Sequence, residues 1–257
     1  MMIWSNSDAG GVTVTVTDQA ALLSDLARRF ETGRGFSVAT LNLDHVVKLS
    51  RDAVFHEAYR AQTHVTADGN PIVWLSRLAG QPVSLVPGSG LIDPLVSLAA
   101  EHRVPVALFG STEATLKAAA AELSQRHPGL DVVLTRAPSM GFDPQEAAAA
   151  AEIEAIAVSG ARLCFLALGA PKQEVFAARA RAALPGVGFV SVGAGLDFIA
   201  RTQNRAPAWV QAIAAEWLWR LIGDPKRFAA RYAACIAALP RLTGKALRTR
   251  RRVGSRP

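Results

Sequence analysis

The feature that most constrains the fold of this chain is an alternation of short apolar runs with longer helix-like stretches. The runs are Phe36–Leu41, Val104–Phe109, Asp131–Leu134, Leu163–Leu168 and Gly188–Val192. Between them lie Asp44–Arg60, Thr112–Arg126, Pro144–Ser159 and Lys172–Ala183. Several runs are β-branched and apolar at successive positions, the pattern of strands buried on both faces of a parallel sheet. Strands that alternate with helices of this length predict βαβ units, hence a Rossmann-like α/β parallel sheet with flanking helices. The Ala-rich stretch Ala147–Ala151 contributes helix propensity and no chemistry. With 257 residues, half of them hydrophobic, the chain can bury a sizeable core.

After about Asn204 the character changes. Ala206–Leu239 reads as helical, rich in Trp and Arg and interrupted at Pro225. The segment after Pro240 is basic and low in apolar content, and is expected to fray. We therefore expect an α/β body over 1–204 and a basic helical appendage over 205–257. Charge follows the same division. Residues 1–200 hold 15 Lys and Arg against 19 Asp and Glu, a net of −4; residues 201–257 hold 13 against 2, a net of +11. A basic tail suits nucleic acid, anionic lipid or a diphosphate substrate. Cys164 and Cys235 lie far apart in apolar runs and read as reduced, buried thiols. Met1–Gly11 has neither the basic nor the apolar region of a secretory signal, and no stretch is apolar enough to span a bilayer. The expectation is a soluble or peripheral cytoplasmic protein.

In open α/β sheets ligands bind beyond the carboxyl ends of the strands, so the residues there are the candidates. Thr40 and Asn42 close the first run; Ala67-Asp68-Gly69 follow the short run His64–Thr66. Gly110-Ser111-Thr112 form a glycine turn with a hydroxyl helix cap, whose backbone N–H groups suit a diphosphate or serve only as a tight turn. Gly169-Ala170-Pro171-Lys172-Gln173-Glu174 and Gly193-Ala194-Gly195-Leu196-Asp197-Phe198 end the last two runs. Phe198 occupies the third glycine position of a dinucleotide fingerprint, so that motif fails. By pattern alone Asp68 reads more readily as a turn aspartate, Asp-Gly being a common turn pair, than as a catalytic carboxylate. The sequence contains no Asp-x-Asp, His-x-x-x-His or Cys-x-x-Cys, so no metal ligand set is visible.

Together these segments resemble the WecG/TagA/CpsF family of glycosyltransferases, glycosyltransferase family 26. The resemblance rests on Thr40-Leu41-Asn42-Leu43-Asp44, Ala67-Asp68-Gly69 with Trp74, Leu108-Phe109-Gly110, and Gly169 through Glu174. It continues through Val192-Gly193-Ala194-Gly195, Arg205-Ala206-Pro207, Glu216-Trp217, Arg220-Leu221 and Pro225-x-Arg227, and so spans about Val12 to Leu239. It implies inverting transfer from a UDP-sugar to a polyprenyl-diphosphate-linked saccharide, typically without metal and with no cofactor. By that resemblance Asp68 is the catalytic base, Thr40 and Asn42 orient donor or acceptor, and Gln173 faces the transferred sugar. By the same resemblance Gly110, Ser111, Pro171, Lys172, Glu174, Gly193 and Gly195 bind substrate, with the Gly110 and Gly193 turns similar to those that hold the nucleotide and its diphosphate. Arg220, Arg227 and Arg231 of the appendage would neutralise the leaving diphosphate, and the appendage would meet anionic lipid of the inner leaflet. Family members can associate, so self-association is an open expectation, and no nucleic-acid partner is implied.

The chain departs from the family at Leu85, where many members have arginine, and at Gly90, where they have aspartate; the donor sugar is therefore not carried over. Two other readings compete. A nucleotide-dependent oxidoreductase is opposed by the broken glycine fingerprint. A non-enzymatic anion-binding module would interleave basic residues with aromatics over one face, whereas Trp209, Trp217 and Trp219 sit at helical spacing beside apolar residues, suiting core packing or a membrane interface.

Overall fold

The structure, a computed structural model, describes residues 2–7, 10–203, 206–207, 210 and 216–254, apart from the side chains of 5–7, 220, 227, 253 and 254. The strands are β1 (Ser5–Ser7), β2 (Gly10–Val12), β3 (Phe36–Leu41), β4 (His64–Ala67), β5 (Val106–Gly110), β6 (Val132–Arg136), β7 (Leu163–Ala167) and β8 (Gly188–Ser191). The helices of the body are α1 (Gln19–Glu31), α2 (Leu43–Leu49), α3 (Ala53–Arg60), α4 (Asn70–Leu78), α5 (Ile92–Glu101), α6 (Glu113–Arg126), α7 (Ala148–Val158), α8 (Lys172–Ala183) and α9 (Gly195–Ile199). Two more follow, α10 (Glu216–Gly223) and α11 (Pro225–Gly254).

Six strands form one parallel sheet in the order β4-β3-β8-β7-β5-β6, the Rossmann-like architecture expected from the apolar runs. Alternation along each strand sends side chains to the two faces of the sheet, one covered by a single apolar cluster and the other by two. Val38, Leu108, Phe165 and Val190 pack against α1, α5 and α6 through Leu26, Leu95 and Leu116. On the other face, Phe109, Leu166 and Phe189 meet Ile153 and Phe176 of α7 and α8, while Ala39 and Leu41 meet Val46 and Phe55 of α2 and α3. Phe109 stacks on Phe176 with ring centroids 4.7 Å apart. The three clusters are apolar, and the polar candidates lie at or beyond the strand ends.

Two sequence expectations change. Asp44–Arg60 is not one helix but two, because Asp52 turns its carboxylate onto Phe55 N–H (2.9 Å) and starts α3 as an N-cap. The segment after Pro240 does not fray: α11 continues to Gly254. A proline inside a helix removes one hydrogen bond and costs about 3 kcal/mol. Here the turns beyond it bury Leu242 and Ala246 in the core that α2 and α4 help to line, which offsets that loss. A low apolar content hid this, since only the residues facing α2 and α4 need be apolar.

Candidate functional site

Because all six strands run parallel, their carboxyl ends lie along one edge, and five neighbouring ends carry the sequence candidates. In the order β4, β3, β8, β7, β5 the edge presents Asp68, Thr40 with Asn42, Gly193, the Gly169–Glu174 segment, and Gly110-Ser111. Residues separated by up to 155 positions in sequence are thus brought to one crevice edge (from Thr40 to Gly195).

Asp68 continues the strand pairing by donating its backbone N–H to Leu41 O (2.8 Å). Its half-buried carboxylate receives the Thr40 hydroxyl at 3.4 Å. Gly69, at φ +92, turns the chain directly from Asp68 into α4. Such a φ strains any residue with a Cβ, so this abrupt turn calls for glycine. Thr40 is fixed from behind: the buried Tyr59 hydroxyl donates to Thr40 O (2.8 Å) and lies 2.7 Å from His45 Nδ1. Burial pushes the His45 ring down to about 3, so the ring is neutral. The tyrosine proton is committed to Thr40, so Nδ1 carries the hydrogen that meets the tyrosine oxygen. Asn42 uses its side-chain oxygen to cap α2 through His45 N–H (2.9 Å).

At the β5 end, a Cβ on Gly110 would lie 2.5 Å from the Ala167 carbonyl carbon and oxygen, so only glycine fits. Ser111, at φ +44, is held by its N–H on Ala167 O (2.9 Å) and its hydroxyl on Asp197 Oδ1 (3.0 Å). The Ser111 N–H is thus already engaged. The first-turn N–H groups of α6 remain to interact with an anion, Thr115 N–H excepted, since it is capped by Thr112 Oγ1 (3.2 Å). On the neighbouring ends, Gln173 accepts Gly193 N–H on Oε1 (3.1 Å) and donates from Nε2 to Glu174 Oε1 (2.8 Å). Gln173 is 3% exposed and Glu174 is fully buried. Burial pushes the Glu174 carboxyl up to about 7. Lys172 is exposed and donates to Phe142 O (2.6 Å); Pro171 is the residue from which α8 starts. A Cβ on Gly195 would meet Ile92 Cδ1 at 2.7 Å.

Of the departures from the family pattern, Leu85 precedes the Gly88–Leu91 turn and Gly90 lies within it. Leu85 is largely exposed beside Ala67, with which it forms a parallel bridge. Gly88 presses against the edge: its Cβ would sit 2.8 Å from Ser191 O and 3.3 Å from Thr40 Cγ2.

Arg231 lies on α11 and ion-pairs with Asp44, which also meets Lys48 at 2.9 Å. Burial raises the Asp44 carboxyl, but the two cations outweigh it and hold it below its ordinary value. Arg231 thereby fastens α11 to α2. The Arg220 and Arg227 side chains, Arg205 and Trp209 lie outside the described residues.

Sequence reasoning missed the His45–Tyr59 support of Thr40 and the Asp197 partner of Ser111. No spacing announces either contact, because each joins residues from different elements. Among the described residues, no group of three or more His, Cys, Asp and Glu side chains is placed to hold a metal ion. No helix among them is long and apolar enough to cross a membrane.

An open parallel sheet with polar residues gathered at five strand ends defines an α/β protein built to work on a ligand across that edge. The sequence matches the glycosyl transferase WecG/TagA/CpsF family over residues 8–255, and the chain belongs to that family. It is therefore a glycosyltransferase of cell-surface polysaccharide synthesis, acting between a sugar donor and an acceptor. Membership in a transferase family sets aside the oxidoreductase and the non-enzymatic module.

Proposed function

We propose that the chain is an inverting, metal-independent transferase that moves a hexosyl or N-acetylhexosaminyl group from a UDP-sugar to a polyprenyl-diphosphate-linked saccharide. The observation that carries this reading is the Thr40–Asp68 pair, a half-buried carboxylate with a hydroxyl donor at the carboxyl ends of adjacent strands. Inversion requires direct attack by an acceptor hydroxyl on the anomeric carbon. As the new C–O bond forms, Asp68 takes the hydroxyl proton; the bond to the UDP oxygen breaks and its electron pair leaves with UDP. Thr40 orients the carboxylate, Asn42 and Gln173 border the reacting sugar, and the Gly110 and Gly193 turns hold the nucleotide and diphosphate.

With no metal ligand set in the sequence, the charge developing on UDP falls to helix N-terminal N–H groups and arginines. Arg220 and Arg227, within matched motifs of the appendage, are the candidates for that role. Arg231 lends support by anchoring α11 on Asp44. Residues 1–204 thus form the donor and acceptor body, and 205–257 supply arginines and membrane contact. The membrane reading draws support from α10, which exposes Trp217, Leu218, Trp219 and Ile222 beside the basic α11. Such a surface seats in the headgroup region of the inner leaflet. The Arg231–Asp44 and Trp217–Tyr232 contacts join the appendage to the body and α10 to α11 within this one chain.

A chelator tests the charge assignment. Excess EDTA is expected to leave the transfer rate largely unchanged. Loss of activity in EDTA, restored by Mg²⁺ or Mn²⁺, would show that a metal rather than arginines and N–H groups neutralises the diphosphate.

A further inference from the structure

The Gln173 amide is held at both ends, and the Gly193 end has fixed polarity. A backbone N–H can only donate, so Gly193 requires Oε1 on its side (3.1 Å). That places Nε2 on the side of Glu174, whose Oε1 receives it at 2.8 Å. Terminal amide torsions are otherwise broad and two-fold, so without such partners the amide is free to turn over. The Glu174 backbone is fixed as well: Gln62 Nε2 donates to Glu174 O (3.1 Å) and to Ala58 O (2.8 Å), tying the first turn of α8 to α3.

Glu174 is fully buried, and its Oε2 has no hydrogen-bond partner among the described residues. Burying a carboxyl with one oxygen unmatched costs stability. An apolar side chain would fill the same space without that loss. What the carboxyl supplies, and a leucine cannot, is the acceptor for Gln173. Being fully buried, Glu174 cannot itself meet a substrate; its influence on the edge must pass through Gln173 and then Gly193, which at φ +54 shapes the link from β8 to α9.

We propose that Glu174 is a positioning residue for sugar transfer: it fixes the Gln173 amide, and through it the Gly193 turn, in the orientation used at the transferred sugar. This rests on the reading of Gln173 given above. A fixed amide presents one Nε2–H and one Oε1 lone pair to the crevice in known places, whereas a rotating one presents either.

The test is a double-mutant cycle on the full chain, with kcat, donor KM and melting temperature measured for each protein. Glu174→Leu is expected to lower kcat by about ten- to a hundred-fold, the size of effect that misplacing a reacting group produces. Donor KM should rise by a smaller factor, since the Gly193 turn also borders the nucleotide. Glu174→Gln keeps an oxygen for Gln173 Nε2 and should retain kcat within about threefold, the rescue expected when the acceptor matters and the charge does not. Gln173→Ala/Glu174→Leu should be no slower than Gln173→Ala alone, since nothing is left to position. Should Glu174→Leu not fold, the unbranched Glu174→Met takes its place in the cycle. If Gln173→Ala is slow and the two losses multiply, or if folded Glu174→Gln is as slow as Glu174→Leu, this inference is overturned and the assignment of Gln173 stands. Gln173→Ala turning over at the wild-type rate overturns the assignment of Gln173 itself, and this inference with it.

Discussion

Asp68→Asn is expected to leave the fold and UDP binding intact while slowing sugar transfer by roughly two to four orders of magnitude, the usual loss on removing a general base. The reasons are local. The backbone N–H of Asp68, not its side chain, makes the 2.8 Å bond to Leu41 that extends the sheet. Asparagine has nearly the same shape and keeps an oxygen for the Thr40 hydroxyl. What it lacks is the basic lone pair that takes up the acceptor proton. Thr40→Val should mimic part of this loss by removing the hydroxyl's hydrogen bond to the carboxylate. Circular dichroism and UDP titration establish the first half of the expectation and an acceptor assay the second. Near-normal turnover by a folded Asp68→Asn protein would remove Asp68 from the mechanism.

Truncation after Asn204 is the second large effect. It should abolish binding to anionic liposomes and lower transfer even to a soluble acceptor analogue, by on the order of a hundredfold if a group that stabilises the leaving diphosphate departs with the segment. Residues 201–257 carry 13 Lys and Arg against 2 Asp and Glu. Each basic residue near an anionic surface contributes about 1 kcal/mol, so a handful suffices for reversible attachment. Salt should weaken that attachment. The structure adds a further reason for the loss: α11 buries Leu242 and Ala246 beside α2 and α4, and Arg231 pairs with Asp44. Deleting only residues 248–257 keeps these contacts, and should weaken liposome binding while sparing transfer to the soluble analogue. If the short deletion abolished soluble-acceptor activity in a folded protein, the division between an anchoring tip and a catalytic appendage would be wrong.

The sequence revealed the sheet wherever burial on both faces made a run continuously apolar, as in β3, β5, β7 and β8. It was less clear for β6, whose side chains are partly exposed or exposed, and the run Asp131–Leu134 stops short of Arg136. The two short strands β1 and β2 have no apolar run to announce them. The split between α2 and α3 depends on one capping carboxylate, Asp52, inside an otherwise helical pattern. The course of α11 past Pro240 depends on what it packs against, which periodicity alone does not reveal.

The site divides in the same way. Residues just beyond strand ends could be singled out because the fold class itself says where to look, and their order in the motifs carried the family resemblance. Which side chain touches which could not be read. Glu174 stands next to Gln173 in sequence and shares its motif, and both are buried, yet Gln173 reaches the Gly193 N–H at the end of β8 while Glu174 receives the Gln173 amide. His45, Tyr59 and Thr40 come from three elements, and so do Ser111 and Asp197 from two. Such contacts are products of packing rather than of spacing.

The account stands on one reaction, and acceptor-dependent release of UDP measures it directly. Purified full-length chain is incubated with a panel of UDP-sugars, with and without a synthetic polyprenyl-diphosphate saccharide, and the anomeric configuration of the product is read by NMR. The account predicts that one donor gives UDP release only when acceptor is present, with inversion at the anomeric carbon. Release that ignores the acceptor, or a product that retains the donor's configuration, would contradict it.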